Sequence, residues 1–314
     1  MASRFWVGNP LEPSESDGPP AAMVLCAGFG TRLLPLTEEL PKPLVPVGDG
    51  SVLDHIAAAL RQAGVRRLVV NGHHLAEVLR DALPSLVLPC AMVEEPVIRG
   101  TAGGVAGAAE LLGDRDVVVV NGDILAEVDY AALLAAHGAT PAVATLAVVG
   151  GLPAGQGTVG LDAAGRVVRL RAGRWGDEVA GGDFVGAQVL GPAARERLPA
   201  DGCLVGDVYI PALDEGLEVR AAAVASGFVD VGSPPAYLAA NLAWLRARGQ
   251  SEWRGPGARV SKRVALREAL VGPGAEVTGE GPVERCVVWP GARATAPLRD
   301  AVVTPAGRVV ACAV

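Results

Sequence analysis

The chain has 314 residues, which is enough for one large domain or for a domain with an appendage. Half of its residues are hydrophobic but only 4% are aromatic, so the core is expected to be built from Ala, Val and Leu. Its 27 basic and 34 acidic residues give a formal net charge of −7, which argues against nucleic acid or an anionic membrane as the partner.

The cysteine spacing and the lack of a recognisable targeting signal indicate in which cellular compartment the protein is expected. The five cysteines are scattered without the spacing of a metal site, which indicates small buried residues in a reducing environment. No apolar run reaches the roughly 18 residues of a membrane span, and the N-terminus lacks the pattern of a secretory signal. These features predict a soluble, cytoplasmic protein.

Strands and helices alternate through the first half of the chain. Residues 1–20 contain four prolines and no periodicity, which predicts a flexible N-terminal tail from which Phe5 and Trp6 dock on the body. Apolar runs then predict buried strands at 21–25, 67–71, 89–94, 117–120 and 142–149, and helical patterns predict helices at 52–63, 75–83, 102–112 and 130–137. The alternation predicts an α/β fold with a doubly wound, Rossmann-like mixed sheet whose ligands bind at the carboxyl edge of the strands.

From residue 156 the pattern changes to short paired strands. A β-hairpin at 158–170, strands at 184–190 and 219–225, and helices at 209–215 and 236–248 complete a predicted first domain of residues 21–248. Three glycines and a proline predict a linker at 249–257.

Residues 258–314 carry a weak repeat. A small–apolar–apolar–x–Pro pattern ends at Pro273, Pro290 and Pro305, at spacings of 17 and 15 residues. Paired apolar residues at a short, nearly constant period predict the coils of a solenoid. The pairs expected to stack in its interior are Leu270/Val271, Val287/Val288 and Val302/Val303.

The most informative segment follows the first strand. Gly28-Phe29-Gly30-Thr31-Arg32 makes a glycine-lined turn in which backbone N–H groups approach an anion and Arg32 adds a forked cation. Ten residues on, Pro41 and Pro43 fix the backbone around Lys42. The Gly-Lys-Ser/Thr of a P-loop is absent, and Leu33 stands where a dinucleotide fingerprint needs its third glycine. The alternative is a glycine turn beside a surface loop whose cations are only solvated.

The pattern G-x-G-T-R, followed by P-L-T and P-K-P, resembles the signature of the sugar-1-phosphate nucleotidyltransferases. The segment from Glu94 to Gly104 most resembles the branch that handles mannose-type and N-acetylmuramic-type sugar phosphates, and the chain as a whole is most similar to mannose-1-phosphate guanylyltransferase-like members. The resemblance implies a GT-A-type domain that forms an NDP-sugar and pyrophosphate from an NTP and a sugar 1-phosphate, with GTP and mannose 1-phosphate as one candidate pair. Arg32 would neutralise the departing pyrophosphate, and Lys42 would bridge the α-phosphoryl group and the attacking group. The residues that would bind the nucleotide here are Ala27, Gly28, Gly30 and Thr31.

Two acidic segments supply the expected metal ligands. Asp123 follows the run of four valines at 117–120 and comes directly after Gly122. Asp230 lies in Phe228-Val229-Asp230-Val231-Gly232, which resembles the second acidic element of the family with Phe228 in place of the usual Trp. The resemblance implies that both carboxylates hold Mg²⁺, which would neutralise charge between two phosphate substrates. The alternative is that each Asp caps a helix or turn.

A glycine-rich helix start follows Glu94-Glu95-Pro96. By resemblance it binds the nucleobase, through Glu95 and the segment Gly100, Thr101, Ala102 and Gly103. Close packing through small residues is the alternative, and both can hold. Asn71, His73 and His74 follow another strand end, and the histidines are expected to be structural rather than catalytic.

The sugar-phosphate subsite is the least defined. The E-K-P element of some relatives is missing after the hairpin, which leaves Arg169 or Arg171 as the substitute cation, with Arg171 and Gly186 as the expected contacts.

The C-terminal repeat resembles the left-handed β-helix that many of these enzymes carry. Such a domain can also be an acyltransferase, but no His follows residue 138, so a packing cap or a homodimer interface is the preferred interpretation. The rival function is a catalytically weak relative that binds nucleotide sugars and regulates a partner. An oxidoreductase is disfavoured because no dinucleotide fingerprint is present.

Overall fold

A computed structural model describes the backbone of residues 4–7 and all of residues 20–312. Most of the predicted N-terminal tail, residues 1–3 and 8–19, lies outside the described residues. In the part of the chain that is described, no helix combines the length and the apolar character needed to cross a membrane.

The secondary structure contains many short strands and few long helices. The strands are β1 (Arg4–Val7), β2 (Ala21–Leu25), β3 (Pro46–Val47), β4 (Gly50–Ser51), β5 (Leu68–Gly72), β6 (Cys90–Glu94), β7 (Val117–Asn121), β8 (Ile124–Val128), β9 (Ala144–Pro153), β10 (Val159–Leu161), β11 (Val167–Leu170), β12 (Gly173–Arg174), β13 (Ala180–Leu190), β14 (Val219–Ala222), β15 (Ala225–Asp230), β16 (Glu252–Arg254), β17 (Arg259–Val260), β18 (Val264–Val271), β19 (Glu276–Val288), β20 (Arg293–Val303) and β21 (Val309–Ala311). The α-helices are α1 (Val52–Gln62), α2 (Ala76–Ala82), α3 (Gly100–Gly107), α4 (Ala109–Leu112), α5 (Tyr130–Gly138), α6 (Pro192–Arg195), α7 (Ile210–Asp214) and α8 (Pro234–Ala247). Short 3-10 turns lie at Thr31–Leu33, Leu36–Glu38, Lys42–Leu44 and Leu83–Ser85, and a π-helical segment, Leu204–Tyr209, precedes α7.

The chain divides into two units at positions that differ from the predicted boundaries. The first unit comprises residues 1–28 and 56–228, and the second comprises 29–55 and 229–314. The predicted domain 21–248 therefore contributes to both units. Its signature segment beyond Gly28 and its last helix, α8, belong with the C-terminal residues.

The first unit is built on an 11-stranded mixed sheet, which confirms the predicted mixed α/β architecture. Its centre is parallel, in the order β6-β5-β2-β7, and Val24 pairs with Val70 on one side and Val120 on the other. These strands are buried because each is a nearly continuous apolar run. Strand β13 continues the sheet antiparallel to β7 and also pairs with β9 and β10.

Three local features of this unit differ from the predictions. Strand β1 lies in the predicted tail and pairs antiparallel with β6, with Phe5 opposite Val93. The helix predicted at 102–112 is two helices, because the chain leaves helical geometry at Ala108, where φ is −100° and ψ is 3°. Strand β8 was not predicted because its residues are mostly half-buried and form no continuous apolar face.

The second unit contains a C-terminal sheet of β16–β21, in the order β16-β18-β19-β20-β21 with β17 paired to β19; all of its strand pairs are parallel except β20–β21, which is antiparallel. Leu270 pairs with Val287 and Val287 with Val302, and the next residue of each pair follows the same register. All six of these apolar side chains are buried. The predicted stacking of the apolar pairs is therefore confirmed. The predicted linker is wrong at Glu252–Arg254, which forms β16 and pairs with β18.

Helix α8 links the C-terminal sheet to the segment 29–55 within this second unit. The Tyr237 hydroxyl donates to the Pro46 carbonyl and accepts from Trp289 Nε1 at 2.9 Å. Asn241 Oδ1 accepts from the Gly48 amide at 3.0 Å. Tyr237, Asn241 and Trp289 are almost completely buried. These bonds explain why the signature segment groups with the C-terminal residues.

Candidate active site

In the first unit, the carboxyl edge of the parallel strands forms a hydrogen-bonded frame. The Cys26 amide donates to Asn71 Oδ1 at 2.8 Å, and the Gly122 amide donates to the Leu25 carbonyl at 2.9 Å. These bonds tie the ends of β2, β5 and β7 together. Ala27 is buried and Gly28 is exposed at this edge, which is where parallel α/β sheets bind ligands.

In the second unit, the signature continues as a series of tight turns. Gly30 has a left-handed backbone, with φ at 64°, and its carbonyl accepts from Thr37 Oγ1 at 3.0 Å. Thr31 and Arg32 are exposed at the start of the first 3-10 turn. Lys42 opens another turn after Pro41, and its side chain is only 7% exposed. Pro41 and Pro43 flank Lys42 in this turn and restrict its backbone torsions.

Asp230 brings the two cations of the signature together. Lys42 Nζ lies 3.1 Å from Asp230 Oδ1, and Arg32 Nη2 lies 3.2 Å from Asp230 Oδ2. The three charges sum to +1, and the Arg32 side chain is 71% exposed. The cluster therefore offers one exposed cation, one buried cation and a carboxylate, a combination suited to phosphate oxygens and a divalent metal.

Asp123 lies in the first unit, immediately after β7. It is half-buried, and a side chain on the preceding Gly122 would lie 2.7 Å from the Leu25 carbonyl oxygen. That close approach accounts for the glycine. Burial, the neighbouring Cys90 and the Asp123 carboxylate all raise the pKa of Cys26 well above its usual value. The raised pKa favours the neutral form of the Cys26 thiol.

Glu95 is held by protein partners on both carboxylate oxygens. Oε1 accepts from Asn71 Nδ2 at 2.8 Å, and Oε2 accepts from the Arg99 amide at 3.1 Å. Its backbone carbonyl bonds with His73 Nδ1 at 2.7 Å, and its side chain is buried. Asn71 therefore joins β2 to Glu95, a positioning role that the sequence indicated only by its place at a strand end. The predicted contact of Glu95 with the ligand stays a prediction.

The glycine-rich start of α3 packs against residues 200–202. A Cβ on Gly100 would lie 2.4 Å from the Gly202 carbonyl oxygen, and a Cβ on Gly103 would lie 2.6 Å from the Ala200 carbonyl oxygen. The Ala102 amide donates to Gly202 at 2.9 Å, and Thr101 Oγ1 accepts from Leu204. The predicted donor-rich surface is thus corrected at Ala102, whose N–H is used within the protein and whose side chain is buried.

The candidate sugar-phosphate residues have different environments. Arg169 is buried in an ion pair with Glu178 at 2.8 Å, so it is a structural residue rather than a ligand cation. Arg171 donates to Cys203 Sγ at 3.3 Å. Partial burial raises the pKa of the Cys203 thiol, but hydrogen bonds, including the one from Arg171, outweigh burial and lower this pKa overall. Gly186 lies beside Asn121 at the end of β7.

Comparisons with known proteins show which families this chain is similar to. The nucleotidyl transferase family model matches residues 21–172. A UTP–glucose-1-phosphate uridylyltransferase of Synechocystis is 28% identical over 248 residues, which are 73% of this chain and 62% of that protein. A mannose-1-phosphate guanyltransferase of Schizosaccharomyces pombe is 29% identical over 71% of this chain and 64% of its own length. The chain thus spans less than two thirds of these relatives.

A solved structure shares the fold. HddC from Yersinia pseudotuberculosis aligns with a TM-score of 0.59 at 20% identity, over 72% of this chain and all of that one. The signature, its turns and these similarities lead to one conclusion: residues 21–172, which include Arg32, Lys42 and Asp123, are similar to the nucleotidyl transferase family.

Proposed function

We propose that this protein transfers a nucleotidyl group from a nucleoside triphosphate to a sugar 1-phosphate, forming an NDP-sugar and pyrophosphate. The observation that carries the proposal is the cluster in the second unit. Arg32 and Lys42 of the signature both pair with Asp230, about 190 residues further along the chain. A surface loop with solvated cations would not bury Lys42 against a carboxylate from a second acidic element.

The reaction needs no nucleophilic side chain. A sugar 1-phosphate is already anionic, and its phosphate oxygen attacks the α-phosphorus while the bond to the β-phosphate oxygen breaks. Catalysis then consists of positioning and charge stabilisation. Lys42, fixed by two prolines, stabilises the charge around the α-phosphoryl group, and the exposed Arg32 reaches the departing pyrophosphate.

Asp123 and Asp230 are carboxylates of the kind that bind Mg²⁺ together with substrate phosphates. Among residues 20–312, no three or more His, Cys, Asp or Glu side chains form a ready-made metal cluster. Mg²⁺ commonly takes one or two carboxylates together with phosphate oxygens and waters, so Asp230 and Asp123 would suffice as protein ligands. The ion would supply additional neutralisation of the phosphate charges. That both carboxylates share one ion rests on the family resemblance.

The nucleobase and the sugar are the finer part of the proposal. GTP with mannose 1-phosphate is the first pair to test, and UTP with glucose 1-phosphate is the second, because both activities occur in the names of the relatives. Arg171 is the proposed cation for the sugar phosphate, with Gly186 as a neighbouring contact. Ala27, Gly28, Gly30 and Thr31 are the proposed donors to the triphosphate.

The C-terminal sheet is proposed to be a short left-handed β-helix. The supporting observation is its parallel register, which advances by 17 residues and then by 15 from Leu270 to Val287 to Val302. A solenoid of so few coils must cover its open ends, and a homodimer would do so. The molar mass measured by light scattering tests the dimer.

We also propose a cytoplasmic location for the protein.

A pyrophosphate-release screen tests the activity. The purified chain is incubated with Mg²⁺, each of GTP, UTP, ATP, CTP and dTTP, and a panel of sugar 1-phosphates. One pair is expected to release pyrophosphate and form an equal amount of NDP-sugar. Saturable nucleotide-sugar binding without turnover for any pair would instead identify the regulatory relative.

A further inference from the structure

Two acidic residues inside the signature are held by a turn near the C-terminus. Glu39 accepts from the Thr304 hydroxyl and from the Ala306 amide at 3.2 Å. Arg308 Nη2 lies 2.5 Å from Glu38, and Arg308 Nε lies 3.4 Å from Glu39. All of these residues belong to the second unit. The turn thus contacts the signature between its two cations, Arg32 and Lys42.

The turn that makes these contacts is preorganised. The Thr304 amide donates to the Arg308 carbonyl at 3.0 Å, and the Gly307 amide donates to the Thr304 carbonyl at 2.9 Å. Thr304 is completely buried, and the Glu39 side chain is 17% exposed. A hydrogen bond from a buried hydroxyl to a shielded carboxylate has one geometry, whereas an exposed ion pair has many. Of the two residues that anchor the acids, Thr304 and Arg308, Thr304 therefore restricts the position of its partner more.

Short hydrogen-bonded turns connect Glu38 and Glu39 to Lys42 and leave few free backbone torsions between them. The Glu39 amide donates to Leu36 at 3.2 Å, and the Leu44 amide donates to Pro41 at 2.8 Å. Pro41 and Pro43 restrict the backbone on both sides of Lys42. A displacement of Glu39 therefore passes to Lys42, three residues on, because few backbone torsions between them are free to absorb it.

We propose that the turn 304–308 is a positioning element for Lys42, with Thr304 and Arg308 as positioning residues. The inference rests on the proposed function, in which Lys42 acts at the α-phosphoryl group. The C-terminal sheet would then contribute to catalysis, in addition to its proposed role as a packing cap or homodimer interface. Removing the anchors would lower kcat while leaving most nucleotide affinity in place.

The test compares near-isosteric variants of the full chain. Thr304→Val removes the hydroxyl without changing charge, and Thr304→Ser retains it. Because a misplacement of about 1 Å costs on the order of 100-fold, we expect kcat of Thr304→Val to fall by roughly 10- to 100-fold with the KM for the nucleotide changed far less. Thr304→Ser should recover most of the loss. The matched control is Thr278→Val, which removes a 3.3 Å bond to the Ala294 carbonyl in the same sheet.

The number of competent molecules is measured separately, since a partly unfolded preparation also lowers apparent kcat. Each variant is titrated with the nucleotide of the active pair, and rates are divided by the number of binding sites. A fall in kcat that disappears after this correction would overturn the proposal. So would an equal fall in Thr278→Val.

A second readout is independent of turnover. The chain has only two lysines, Lys42 and Lys262, and the second is exposed in the turn between β17 and β18. Labelling with an amine-reactive reagent, followed by peptide mass spectrometry, gives the modification rate of Lys42 relative to Lys262. We expect this ratio to rise in Thr304→Val and in Arg308→Gln and to stay unchanged in Thr278→Val.

The two readouts separate the positioning from the proposed reaction. A raised labelling ratio in a chain with no turnover would support the anchor while the proposed function fails. An unchanged labelling ratio in Thr304→Val, whether kcat falls or not, would overturn the positioning role and leave the reaction standing. A raised ratio with an unchanged kcat would also overturn it.

Discussion

Replacing Lys42 by Met should separate catalysis from stability. The Lys42 side chain is 7% exposed and its partner Asp230 is 40% exposed, and Asp230 keeps Arg32 as a second partner at 3.2 Å. Because Asp230 is partly exposed and keeps Arg32, the variant leaves no buried carboxylate without a partner. It should therefore lose about 1 kcal/mol of unfolding free energy rather than the roughly 3–5 kcal/mol expected when a pair buried on both sides is broken. Loss of one preorganised contact to transition-state charge should lower kcat by about 10²–10³-fold, or about 2.7–4 kcal/mol.

The assay measures initial pyrophosphate release and urea unfolding on the same preparations. Lys262→Met is the matched control, because it removes the other lysine of the chain from an exposed position. We expect its kcat to equal that of the unaltered protein. The reasoning is refuted if Lys42→Met retains kcat, or if its loss of activity is matched by a loss of several kcal/mol in stability.

Three further predictions concern the stability of the folded protein. Trp289→Phe should lower the free energy of unfolding by about 1–3 kcal/mol in urea, because it removes the hydrogen bond to Tyr237 and leaves a small cavity in a buried contact. Asn71→Ala should cost about 1–3 kcal/mol or more, since it removes a partner from a buried amide and from Glu95; a stability change below 0.5 kcal/mol, an order-of-magnitude threshold, would contradict this. Burial lowers the pKa of His137 despite a nearby carboxylate, so the unfolded chain binds its proton more readily; stability should fall as the pH decreases below about 6.5, and His137→Gln should flatten this dependence.

Continuous apolar patterns predicted the fold well. Strand β2 begins and ends at the predicted residues, and the register between Leu270, Val287 and Val302 follows from their spacing. A buried strand needs an apolar run, so the sequence reveals it directly. The elements that were missed lack such a run: β8 is mostly half-buried, and β16 lies between glycines that look like a linker.

Some features of the site were likewise predictable from the sequence and others were not. Arg32, Lys42 and Asp230 were predicted from short patterns, and the structure brings them together. The anchoring of Glu39 by Thr304 was not predicted, because the two residues are 265 positions apart and neither the signature nor the C-terminal repeat carries a pattern that indicates this contact. Arg169 looked like a free cation in the sequence but is paired with Glu178, since a partner nine residues away across a hairpin leaves no local signal.

The most direct test of the account follows the oxygen atoms of the sugar phosphate. The active pair is incubated with a sugar 1-phosphate carrying ¹⁸O in its nonbridging phosphate oxygens, and both products are analysed by mass spectrometry. Attack on the α-phosphorus predicts that all of the label stays in the NDP-sugar and that the released pyrophosphate carries none. Label in the pyrophosphate, or the absence of any NDP-sugar with every pair tested, would contradict the proposed reaction.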